Sequence, residues 1–149
     1  MIRAGGRIMG LVLACVVIVL VGAMAFVRLA PVDAARWHVA PDAPWGAWGQ
    51  VVPMTGAAAL RLPLDRGAPA DLLARLDRIA MATPRTERLA GSVEAGRITW
   101  QTRSALWGFP DYTTAEVRDD GLYVHARLRF GREDLGVNAK RLSVWLAEL

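Results

Sequence analysis

Ser104, His125 and Asp111 supply the hydroxyl, imidazole and carboxylate of a hydrolase triad. Such a triad needs its nucleophile and base in contact at about 3 Å. Strand alternation argues against that contact. Ser104 has the parity of Ile98, Trp100 and Leu106, whereas His125 has the parity opposite Leu122, Val124 and Leu128. If both apolar sets meet one core, Ser104 and His125 lie on opposite sides of a sheet. Metal binding finds no better footing, because His38 and His125 are the only histidines and no His/Asp/Glu group has ligand spacing. The acidic pair Asp119-Asp120 reads as a turn. Glu133-Asp134 precedes a helix, where carboxylates accept from free N–H groups. There is no glycine-rich phosphate loop, and Cys15, the single cysteine, sits inside an apolar run. No catalytic residue, metal ligand or cofactor is assigned.

Two other groups remain. The sheet face turned away from the core should carry Arg103, His125, Arg127 and Arg129, near Gln101, Tyr123 and Arg88. Guanidinium groups on a rigid sheet hold phosphate or carboxylate well. The competing reading is a solvated face whose charge Glu116 and others compensate. The second group, Asp134, Gly136 and Asn138, is expected to be structural: it lies where a strand pattern gives way to a helical one. Asp134 would cap a helix starting at Leu135, and Asn138 would cap one starting later.

The elements that must position these residues begin with an anchor. The hydrophobic fraction is 54% and the mean hydropathy is +0.26, and the excess is concentrated in one place. Ile8 to Val27 contains no charged residue, about the length needed to cross a hydrocarbon core of roughly 30 Å. A cleaved signal peptide is the alternative, with Arg3 and Arg7 as its basic start and Ala23-Met24-Ala25 as its site. The apolar run continues past Ala25, so residues 1–29 are read as a cytoplasmic stub and a retained transmembrane anchor. A lipoprotein site at Cys15 fits poorly. The basic stub places the following domain outside the cytoplasm, in the periplasm of a Gram-negative cell. The net charge is +4. Without Arg3 and Arg7 the 18 basic residues fall to 16 against 14 acidic, a net +2, which is no nucleic-acid signature.

Residues 30–56 read as a linker, rich in proline and containing Trp37, Trp45 and Trp48. The tryptophans suit either a headgroup-level belt or a segment wrapped on the domain. Residues 57–149 then form an α+β domain. Pro69 opens a helix with an apolar stripe of Leu72, Leu76, Ile79 and Ala80, and Pro84 closes it. Period-two stretches follow from Arg88 to Val93, Ile98 to Leu106, Tyr112 to Val117 and Leu122 to Phe130, with Asp119-Asp120-Gly121 as a tight turn. A last helix runs from about Leu135 to Glu148. The expected architecture has two layers: an antiparallel sheet of about four strands with one face covered by two helices.

From Thr86 onward the chain resembles the domain of unknown function 1499 family. The matching parts are ITWQTRSALWGFPDYTTAEV (Ile98 to Val117) and LYVHARLRFGREDLGVNAKRL (Leu122 to Leu142), above all Asp134-Leu135-Gly136-Val137-Asn138 followed by Arg141. It departs from the family pattern at Tyr112, Glu133 and Ala139. The resemblance implies an exported or membrane-tethered domain and implies no activity. The reading is a membrane-tethered, non-enzymatic binding or accessory domain, whose partner is anionic lipid or a membrane protein. The alternatives are an enzyme with its site near Asp111, Asp134 and Arg103, or a structural subunit of a membrane complex.

Overall fold

The computed structural model describes residues 2–149, with side chains from Gly6 onward, so the stub's Arg3 lies outside the side chains described. Helix α1, Ile2–Leu29, holds the apolar run. Its stretch Gly6–Leu29 is long and apolar enough to cross a membrane, with a mean hydropathy of 2.9 and only 6% of that window buried. After Pro31 the chain makes a single helical turn, α2 (Ala34–Trp37), whose first N–H groups are accepted by the Asp33 carboxylate.

Six strands follow: β1 (Val52–Met54), β2 (Ala57–Pro63), β3 (Thr86–Ser92), β4 (Arg97–Arg103), β5 (Pro110–Arg118) and β6 (Gly121–Leu128). They form one antiparallel sheet in the order β1-β2-β6-β5-β4-β3. Helix α3 (Pro69–Ala82) connects β2 to β3, and α4 (Val137–Glu148) closes the chain. The two helices share the face carrying Leu60, Leu62, Ile98, Trp100, Leu122 and Val124, and bury Leu72, Leu76, Leu142 and Trp145 against it. Trp100 and Trp145 meet edge to face at 5.8 Å.

The expected sheet of about four strands is therefore short by two, the hairpin β1–β2. Strand β2, Ala-Ala-Ala-Leu-Arg-Leu-Pro, lies inside the sheet and is largely buried on both faces, so it has no apolar–polar alternation to read. Strand β1 falls within the stretch 30–56 read as linker. Strand β4 ends at Arg103, so Leu106 leaves the core stripe and is exposed in the following loop. Strand β3 carries a bulge between Arg88 and Ala90. Arg88 pairs opposite Trp100 on the helix side, where it forms an ion pair with Asp77 of α3. That carboxylate also accepts from Trp100 Nε1 at 2.9 Å, which is how a charge is tolerated in a helix's buried stripe.

The other sheet face is covered too. Residues 30–50 lie across it as a strap, and Thr99, Gln101, Tyr112, Thr114 and Tyr123 on that face are buried. The tryptophans do the covering. Trp37 stacks on Tyr112 with ring centroids 4.1 Å apart, while Trp45 and Trp48 meet Tyr123 edge-on at 4.8 and 5.8 Å.

Candidate functional site

The strap decides the fate of most of the basic face. Arg127 donates to the Trp37 carbonyl at 3.0 Å, and Arg129 donates to the Pro31 carbonyl at 2.8 Å. Arg118 donates to the Pro41 carbonyl and Arg61 to that of Gly46. A proline-broken strap has few internal partners for its carbonyls, and cationic donors from the strands satisfy them. A relay of hydroxyls runs beneath. Thr114 donates to the Trp37 carbonyl at 3.2 Å, so its single proton is used and Thr99, 2.9 Å away, must donate to it. Thr99 in turn accepts from His38 Nδ1 at 2.9 Å, which fixes that tautomer.

His125 lies under the same strap. Burial, then the Arg127 charge, lowers its pKa to about 4, with Asp42 opposing. It is neutral near pH 7, and its buried Nδ1 has no hydrogen-bond partner. Arg127 is itself lowered by burial. His38 is lowered by burial and by Arg97, with Glu116 opposing.

The acidic segment before α4 is occupied with its own backbone. Asp134 accepts from Gly136 N at 3.2 Å and from Asn138 N at 2.8 Å. The helix begins at Val137, with Gly136 as its N-cap in the left-handed region at φ 77°. Asn138 is thus already inside the helix, and its Oδ1 accepts from Arg141 at 2.6 Å. Arg141 also holds Asp111 at 3.1 Å. Burial raises the Asp111 pKa against the pull of Arg141. The cavity beside Asp111 and Asp134 is small, about 230 Å³.

The triad residues do not meet. Asp111 pairs with Leu128 on the helix face, His125 is on the strap face, and Ser104 belongs to the β4–β5 loop, where its Oγ accepts from Phe109 N at 2.9 Å. Among the described residues no group of three His, Cys, Asp or Glu side chains is placed to hold a metal.

What the fold does bring together is a basic cleft at the end of the sheet that meets α1. The β4–β5 loop turns back on the last turn of α1, and Arg28 donates to the carbonyls of Leu106 at 3.0 Å and Trp107 at 3.4 Å. Phe26 contacts Phe130 at 6.3 Å, and Phe130 contacts Phe109 at 6.2 Å. Between Arg28, the start of β3 and the end of β4 opens a cleft of about 530 Å³, lined by Arg28, Arg85, Arg103 and Glu87. Arg85 stands in the left-handed region at φ 60°, unusual for a side chain of its size. Its Nε donates to the Arg103 carbonyl at 3.2 Å, and Arg103 Nη1 donates to the Gly108 carbonyl at 3.1 Å.

These bonds fix the three guanidinium groups through neutral carbonyls. Among the described residues none of the three forms an ion pair, in contrast to Arg88, Arg97, Arg118 and Arg141. Each retains unused N–H donors. Glu87, the one carboxylate in the lining, is bonded to Gln101 Nε2 at 2.6 Å. Of the four residues expected on a basic face, only Arg103 lines this cleft. Sequence parity missed Arg28 and Arg85, because one lies at a helix end and the other in a turn. The available signal was basic residues at element termini.

A family profile described as a protein of unknown function (DUF1499) matches residues 53–149. No curated protein and no solved structure matches the chain.

Proposed function

The chain belongs to the DUF1499 family, and from its own geometry we propose that it is a membrane-tethered, non-enzymatic binding domain. In this reading α1 crosses the cytoplasmic membrane and the domain sits on the outer side, the periplasm of a Gram-negative cell. The observation that carries it is the junction between anchor and domain. Val27 is only 8% exposed, Phe26 packs towards Phe130, and Arg28 is bonded to the β4–β5 loop. Arg129 holds the Ala30 and Pro31 carbonyls from the other side. A flexible tether needs none of these contacts. If α1 spans the membrane, they hold one end of the sheet near the depth where the hydrocarbon core ends, with Trp107 at the level such side chains favour. A domain so placed presents its loops and basic cleft to lipid headgroups or to a membrane protein beside it.

Two measurements on the full-length chain test this. Alkaline carbonate should leave it in the membrane fraction. A cysteine introduced for Glu148 should react with a membrane-impermeant maleimide in intact spheroplasts. Extraction by carbonate, or a mature chain beginning after Ala25 by mass spectrometry, would remove the anchor. Labelling only after lysis would reverse the sidedness.

A further inference from the structure

The basic cleft has a neighbour. A second cavity, about 420 Å³, shares Arg85, Arg103, Ser104 and Ala105 with it and continues along α4 past Pro84, Val137 and Val144. Val137 and Val144 are 50% and 47% exposed on that helix. The two halves overlap in charge and differ in apolar surface: one presents three guanidinium groups without ion-paired carboxylates among the described residues, while the other shares two of these, adds Lys140 and the Asp111-paired Arg141, and exposes mostly carbon between them. A phosphate at the arginines and a hydrocarbon chain in the groove would satisfy both at once. Arginine forks match phosphate oxygens, and the carbonyl bonds hold the forks in place before a ligand arrives.

We propose that these joined cavities bind one anionic phospholipid, its phosphate held by Arg28, Arg85 and Arg103 and one acyl chain lying along Val137 and Val144. The inference rests on the reading of α1 as a membrane anchor, which supplies the source of ligand: Arg28 belongs to the last turn of that helix, so the cleft opens at headgroup depth. Charge complementarity selects the class. The first cavity carries three arginines against one glutamate, a net +2, and the second adds Lys140 and an Arg141 that Asp111 compensates, so a lipid with a net negative head should be preferred over a zwitterionic one. No bond is made or broken.

The test uses the full-length protein in detergent, titrated with dioleoylphosphatidylglycerol, dioleoylphosphatidylcholine or inorganic phosphate and followed by native mass spectrometry. Expected is one tightly held phosphatidylglycerol, at least about tenfold preferred over phosphatidylcholine, the size of one charge-assisted contact. R85Q/R103Q should lower that affinity at least about tenfold, as each lost charged hydrogen bond is worth that much. V144N should weaken the lipid but not inorganic phosphate, because it makes the chain groove polar without adding a charge beside the arginines. Arg75 is exposed on α3 away from both cavities, so R75Q should change nothing. Equal binding of both lipids, or indifference to R85Q/R103Q, would overturn the proposal. Inorganic phosphate bound as tightly as the lipid, with V144N silent, would make this a soluble-anion site and overturn the lipid assignment. Failure of the anchor reads out separately, in the carbonate extraction, since detergent-phase lipid binding does not require that α1 span a bilayer.

Discussion

Replacing Trp37 by Ala should cost about 2–4 kcal/mol of unfolding free energy, because the strap packs on the folded sheet. Full burial of a tryptophan is worth about 3–5 kcal/mol against alanine. Trp37 is only partly buried, so roughly half of that applies. Its stacking on Tyr112 at 4.1 Å adds about 0.5–1.5 kcal/mol beyond the area term. The carbonyl that accepts from Thr114 and Arg127 is backbone and survives the change. Trp37→Phe keeps a ring on Tyr112 and should cost about 1 kcal/mol. Urea unfolding of the full-length protein in mild detergent, read as the shift in midpoint at constant m, gives the number. If the tryptophans instead form a headgroup belt, Trp37→Ala leaves the midpoint in place and weakens only membrane insertion depth. A loss below about 0.5 kcal/mol, the range of ordinary surface changes, would refute the reasoning.

His125 makes stability pH-dependent. Its pKa is lowered to about 4 when folded, against the ordinary 6.5, so the unfolded chain binds the proton more tightly and stability is full above 6.5. It should fall as pH drops from 6.5 toward 4, by up to about 3 kcal/mol at 1.36 kcal/mol per tenfold change. His38 is lowered as well and acts in the same sense, whereas the raised Asp111 acts oppositely from its ordinary 3.8 upward. Unfolding curves at pH 7.5, 6.0 and 5.0 should show the loss, and His125→Leu should flatten it. Gly91→Ala should cost about 2–4 kcal/mol, because a Cβ there would lie 2.0 Å from the Arg97 carbonyl oxygen and 2.7 Å from His38 Cε1. Gly49→Ala has open space and the same sign of φ, so only the left-handed penalty of about 1–2 kcal/mol remains; equal midpoints for the two variants would contradict this. Asp134→Ala should cost about 0.5–2 kcal/mol and Asp134→Asn less, the pattern of a lost cap, checked by thermal unfolding. Full stability of Asp134→Ala would return that residue to the candidate site list.

Local physics made part of this protein legible without its structure. The charge-free run to Val27 dictates an apolar helix, because nothing else satisfies twenty backbone amides among hydrocarbon side chains. Pro69 and Pro84 bracket α3, and the alternation of Leu122, Val124, Ala126 and Leu128 places His125 on the opposite face through the two-residue period of a strand alone. Strand β2 was illegible for the complementary reason: a strand buried on both faces has no period to read. Sequence spacing also could not say what covers the second face. Arg127, Arg129 and Arg118 look like a free basic surface until a strap roughly ninety residues earlier in sequence turns its carbonyls toward them. The same holds for the candidate site. Arg28, Arg85 and Arg103 share no motif, period or strand, and only the packing of the β4–β5 loop on the last turn of α1 brings them around one cleft. Parity is a property of neighbouring bonds along the chain, whereas a site assembled from element ends depends on long-range contacts that no local pattern records.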